Sequence, residues 1–274
     1  MNAIARLALL AGLLLFLTGC SKGCDDPDKE KGRQFVEDSY NMNVAADMLE
    51  QGVKAYESAM ILDAAQKLNQ GLGNAYAVKI EEDHRTLPLL KSRLHIYYGM
   101  ALMDIYLNAD KSSLEIVDRN TNQVVTITPE LAMSHVDKGL ELVSTEPIGY
   151  FAKGYILLMS GTPEEAVKSF NNAIGRDNSN PGFYGMRALA FFEQATLASG
   201  ATQRGPLVQM AQKDCLAAKS LGTKTGKHSY IAYEVHVRIY LLMGDKRSAE
   251  MVIMEMQELG FNTTRAMEYF NRAK

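Results

Sequence analysis

From Arg33 the apolar residues recur in steps of three and four. Phe35, Val36, Tyr40, Val44, Met48 and Leu49 trace one helical stripe, and Val53, Tyr56, Met60, Ile61, Ala64, Ala65 and Leu68 extend it. Gly71, Gly73 and the charged stretch Glu81-Glu82-Asp83-His84 interrupt the pattern. The spacing resumes and, broken by short polar turns, carries through to residue 263, so the chain is expected to be all-α. Two segments depart from it. Leu114-Glu115-Ile116-Val117 and Val124-Val125-Thr126-Ile127 are β-branched runs around a polar turn, which predicts a small β-hairpin inside an insertion at 108–128. Ala198 to Pro206 holds two glycines and predicts a loop within a second insertion at 195–206. The chain start has no helical stripe either. Arg6 is the one charge before Leu7 to Phe16, an apolar run far short of the roughly 20 residues that span a bilayer, and the pair reads as an export signal over 1–19. Residues 20–32 carry no large apolar side chain and are expected to be a flexible tether, followed by N-terminal helices over 33–91.

A longer period overlies the helical one. Tyr150, Gly154, Leu157, Gly161, Ala166, Phe170 and Ala173 follow one another at fixed offsets, and Pro147 and Pro181 lie 34 residues apart. A first-helix triad recurs as His95-Gly99-Leu102, Tyr150-Gly154-Leu157, Tyr184-Ala188-Phe191 and Tyr233-Val237-Tyr240. A second-helix triad recurs as Ala132-Val136-Gly139, Ala166-Phe170-Ala173, Ala211-Cys215-Ala218 and Ala249-Ile253-Met256. Small residues at these places let two helices approach closely, with Gly154 expected to face Ala166. Thr162, Pro163 and Glu165 are expected to form a capping box at the second helix of the central pair. This register resembles the tetratricopeptide-repeat family. The resemblance implies a solenoid of four stacked antiparallel helix pairs over 92–263, closed by a capping helix over 264–274. It departs from the family in places: the leucine usual before the small residue is Tyr98, Lys153, Arg187 and His236 here, and Val237 and Met256 are larger than usual.

Leu17-Thr18-Gly19-Cys20 resembles the lipobox of bacterial lipoproteins. That likeness implies cleavage before Cys20, acylation of its thiol and a stable membrane anchor through two or more acyl chains. Ser21 after the cysteine resembles an outer-membrane address facing the periplasm. A Cys24–Cys215 bridge is conceivable in an oxidising compartment. The formal net charge of -3 gives no reason to expect nucleic-acid binding. Fifteen methionines are many, and methionine fills irregular gaps between helices or lines adaptable surfaces.

Catalytic constellations are missing. None of the five histidines has the spacing of a zinc-binding helix, and His95 and His236 fall at packing positions. Gly222 to Lys227 is one residue short of a phosphate-binding loop and lacks the following Ser or Thr. No enzymatic activity, cofactor or metal is therefore expected. The tetratricopeptide resemblance places binding on the concave face, which first-helix residues line. Carried over by position, that face holds Ile96, Met100, Met103, Phe151, Tyr155, Leu158, Leu189, Phe192, Arg238 and Leu241. Such apolar anchors suit an envelope protein or peptide segment. Two alternatives stand beside this. The N-terminal helix Phe35 to Leu49 covers the face itself, or the solenoid holds a small apolar ligand for an uptake system.

Overall fold

The computed structural model describes residues 27–79, 86–108, 115–118 and 123–273. Cys20, Cys24, the export segment and the Glu81 to His84 cluster lie outside them. The helices are α1 (Pro27–Glu57), α2 (Ile61–Ala77), α3 (Thr86–Asn108), α4 (Pro129–Leu142), α5 (Pro147–Met159), α6 (Pro163–Arg176), α7 (Pro181–Leu197), α8 (Ala201–Thr225), α9 (Tyr230–Leu242), α10 (Lys246–Glu258) and α11 (Thr264–Arg272). Between α3 and α4 the strands β1 (Glu115–Asp118) and β2 (Gln123–Thr126) form the expected antiparallel hairpin, with Ile116 opposite Val125 and Val117 opposite Val124. The fold is an all-α, tetratricopeptide-like solenoid with one small hairpin.

In α1, α3 and α5 a glycine sets the pair distance, where α7 and α9 carry Ala188 and Val237. A Cβ on Gly154 would stand 2.6 Å from Phe170 Cε1, so α5 lies directly on the Phe170 ring rather than on Ala166. A Cβ on Gly99 would stand 2.6 Å from the Ala132 carbonyl and 2.8 Å from Val136 Cγ2. Gly52 of α1 does the same against α2, where its Cβ would stand 2.6 Å from Leu68 Cγ. The sequence offset is also shared: 68 − 52, 170 − 154 and 253 − 237 each give 16. So α1 and α2 form a further pair, with Ala64-Leu68-Gly71 in the place of Ala166-Phe170-Ala173. Gly71 interrupts nothing. It is the close-approach point to the next pair, where a Cβ would stand 2.7 Å from Leu94 Cδ2.

The turns of the pairs α5–α6 and α9–α10 repeat down to single hydrogen bonds. After α5 the Gly161 amide donates to Leu158 (3.0 Å) and that of Thr162 to Leu157 (3.0 Å). After α9 the Gly244 amide donates to Leu241 (3.1 Å) and that of Asp245 to Tyr240 (2.9 Å). Both glycines have positive φ, +82° and +76°, as a left-handed helix end requires. The capping box does not form. The Thr162 hydroxyl turns back to the Leu157 carbonyl at 2.9 Å, where it satisfies the end of α5 instead of the start of α6.

Two further expectations are corrected. The helix α1 starts at Pro27, inside the stretch 20–32 read as tether. The segment read as a loop at 198–206 is helical from Ala201, with Pro206 inside α8. Arg204 explains the second case. Its guanidinium reaches back to the carbonyls of Ala195 and Ala198, both at 3.2 Å, and so satisfies the end of α7 from the first turns of α8. Cys215 is buried with a free thiol, and its burial raises the thiol pKa well above the ordinary range.

Candidate protein-binding surface

Five of the ten residues expected to line an open groove are buried. Ile96 points between α3 and the following helices, close to Gly139 and Gly149. Met100, Met103, Leu158 and Phe192 are likewise interior. An open apolar stripe is therefore not what the concave side presents, and these five side chains are core. Leu158 packs with Phe170 and Met186, and Phe192 with Ala211, Cys215 and Ile239. For Met100 and Met103 the physical reason is the extra helix pair. Met42, Leu49 and Tyr56 of α1 pack on the same cluster that contains Met100 and Met103. The cover by α1 extends past Leu49 to Tyr56.

Tyr56 does more than cover. Asp104 of α3 accepts a hydrogen bond from the Tyr155 hydroxyl of α5, and its charge acts on the Tyr56 phenol of α1. Burial first, and the Asp104 carboxylate second, hold both phenols protonated far above the usual phenol range. One carboxylate thus joins α3 to α5 and acts on the end of α1. The ring of Tyr56 also meets Tyr97 edge-on at 6.4 Å.

A second polar tie joins the other end. Arg238 of α9 lies over the Phe192 ring at 4.4 Å and bonds Glu193 of α7 at 2.9 Å. Tyr269 of α11 stands 5.2 Å from the same guanidinium. The remaining expected residues, Phe151, Tyr155, Leu189 and Leu241, are half-buried. Phe151 stacks on Phe183 at 5.2 Å, linking α5 to α7. The half-buried Phe151, Tyr155, Leu189 and Leu241 are thus accompanied by two polar ties. The residues missed by sequence reasoning are Tyr56, Asp104, Glu193 and Tyr269. Their signal was available in part, since Tyr56 lies on the apolar stripe of α1.

Histidines hold two places of their own. His95 bonds Tyr76 Oη through Nε2 at 2.8 Å and His135 Nδ1 through Nδ1 at 2.9 Å, which links α2, α3 and α4. His236 stacks on Tyr240 at 4.6 Å beside a surface cleft of about 440 Å³. Leu216, Lys219, Met251, Met254 and Glu255 line the same cleft. Among the described residues no group of three or more His, Cys, Asp or Glu side chains is placed to hold a metal.

No family model matches the chain and no curated protein matches it in sequence. It is similar in fold to MamA (residues 41 to the end) from Desulfovibrio magneticus RS-1, at 12% identity and TM-score 0.46 over 79% of this chain and 95% of that one. PilF from Pseudomonas aeruginosa is similar at 12% identity and TM-score 0.45, over 84% and 97%. A tetratricopeptide repeat protein from Parabacteroides merdae aligns over 84% and 98% at 10% identity and TM-score 0.30. At these identities and scores none of them bears on what the chain does. The solenoid rests on the repeated glycine contacts and turns.

Proposed function

We propose that this chain is a lipid-anchored scaffold of the bacterial envelope that holds a protein or peptide segment along the concave side of its solenoid. The observation that carries the reading is that Phe151, Tyr155, Leu189 and Leu241 stay half-buried on first helices where Ile96, Met100, Met103, Leu158 and Phe192 are core. Half-buried aromatic anchors beside satisfied polar groups suit a protein surface better than a reaction centre. Leu17 to Cys20 supports the anchor, and Ser21 supports the periplasmic side of the outer membrane as its address.

One in-cell experiment tests both halves. A photo-crosslinking amino acid at Leu189 should trap a discrete envelope protein, and the same group at Glu250, exposed on α10, should not. Cys20→Ala should move the protein from the membrane to the soluble fraction with loss of palmitate label. Absence of any adduct at Leu189, Phe151 and Leu241 would overturn the concave-face reading, and a variant that stays membrane-bound and labelled would overturn the anchor.

A further inference from the structure

The two edges of the hairpin are treated differently. On β1 the carbonyl of Val117 accepts a hydrogen bond at 2.8 Å from Asn69 Nδ2 of α2. That geometry points to a polarity for the sheet. A carbonyl that points out to α2 belongs to a residue whose backbone groups face away from β2. Val117 and its partner Val124 are thus a non-hydrogen-bonded pair, and so are Glu115 and Thr126. It follows that the amide and carbonyl of Val124 and of Thr126 point outward from β2. Among the described residues no other backbone group meets them. On the outer face beside them Val117 is 50% and Val124 63% exposed, flanked by Glu115 and Thr126.

Proteins usually block such an edge with a lysine, a proline, a bulge or a covering element. Gln123-Val124-Val125-Thr126 has no charge and no proline. We infer that the open edge of β2 pairs with β2 of a second copy of this chain, antiparallel and centred on Val125. In that register Val124 stands opposite Thr126 of the other copy and Thr126 opposite Val124. All four outward amide and carbonyl groups of each strand are then used. The contact is two-fold and self-complementary, and it closes. Four strands result, and the outer edges are the two β1 strands, on each of which Asn69 already holds the Val117 carbonyl. An uncharged strand meets its own copy without like-charge repulsion, whereas β1 would set Glu115 and Asp118 against themselves. The contact is short compared with permanent interfaces, so the dimer is expected to depend on concentration.

The test uses the full chain carrying Cys20→Ser and Cys24→Ser, with mass measured by light scattering across a dilution series. A dimer that dissociates on dilution is expected. Val124→Lys should weaken it by roughly tenfold or more, because two β-branched contacts are lost and two ammonium groups are introduced. Val124→Pro should do the same while leaving the hairpin intact, since that amide faces outward. Register is read by cysteines. Val125→Cys should form a disulfide-linked dimer, because residues 125 of the two copies lie roughly 4.5 Å apart in a non-hydrogen-bonded pair. Val124→Cys should not, because residues 124 lie on a diagonal of roughly 7–8 Å. A monomer at every concentration overturns the inference and leaves the edge to a strand of some other protein. A dimer unaffected by Val124→Lys and Val124→Pro, or linked equally well through position 124, overturns it too.

Discussion

His236 sits 2% exposed between α8 and α10, and among the described residues neither ring nitrogen has a hydrogen-bond partner. A neutral imidazole tolerates this better than a charged one. Burial chiefly, and repulsion from Lys219 of α8 next, push its pKa down from 6.5 to about 4, with Glu255 of α10 opposing. The folded pKa lies below the unfolded one. As pH falls through 6.5 the unfolded chain takes up a proton that the folded chain refuses until about 4. Stability is therefore intact above 6.5 and declines across that window, by up to about 3 kcal/mol from this residue. His236→Phe keeps a ring on Tyr240 and removes the titration. Urea midpoints taken between neutral and mildly acidic pH should show the parent losing ground to the variant as pH drops. Parallel curves would mean that the ring takes up its proton as readily folded as unfolded.

At the scale of elements, the position that departs from the repeat pattern is where the helices are cross-linked. Tyr98 meets His135 edge-on at 4.8 Å, Lys153 bonds Asp137 at 2.8 Å, and His236 lies between the helices that carry Lys219 and Glu255. Arg187 goes furthest. It makes two 2.7 Å bonds to Asp214 of α8 and a third to Asn171 of α6, so one guanidinium ties three helices. Asp214→Ala should cost about 3 kcal/mol, because it strands a largely buried charge. Arg187→Leu with Asp214→Leu should recover most of that loss, since apolar replacement of a buried pair is often neutral. A double variant as unstable as the single one would mean that the pair supplies something packing cannot. These four residues could be read as departures but not as ties, because the partner of each lies on another helix. The hairpin and the central pairs were legible because their signals are local: alternation for β1 and β2, and a 16-residue offset between Gly154 and Phe170. The pair α1–α2 was not, because glycine as helix breaker and glycine as close-approach point look alike until Leu68 and Leu94 are found opposite Gly52 and Gly71. The concave groove was misread for the same reason. Met100 and Met103 are on the expected face of α3, but α1 lies over the cluster that contains them.

At the scale of the whole molecule, the extra pair changes where stability resides. Among the described residues, one continuous apolar cluster runs from Ala45 of α1 through α2, α3 and α4 to Ile156 of α5 and contains 23 buried residues. The C-terminal half is divided. Its clusters hold 5 residues between α5, α6 and α7, 6 between α7, α8 and α9, and 7 between α9, α10 and α11. In a solenoid each pair is held by itself and its neighbours, so a region of small separate clusters opens without the rest. The last pair has a neighbour on one side and on the other only α11, which buries Ala266 alone as a full core residue. The Asp104 tie adds to the contrast, because it joins α3 to α5 and acts on Tyr56 of α1 at the end that is already the larger cluster. Native-state hydrogen exchange should therefore show a gradient. Amides in the middle of α2, α3 and α4 should exchange only through the global opening. Those of α9, α10 and α11 should exchange through a smaller opening whose free energy is nearly independent of what is done to α1. Asp104→Asn sharpens the test, since it should lower protection in α1, α3 and α5 and leave α9 to α11 where they were. Equal protection along the chain, or a fall in α9 to α11 on Asp104→Asn, would mean that the solenoid unfolds as one unit.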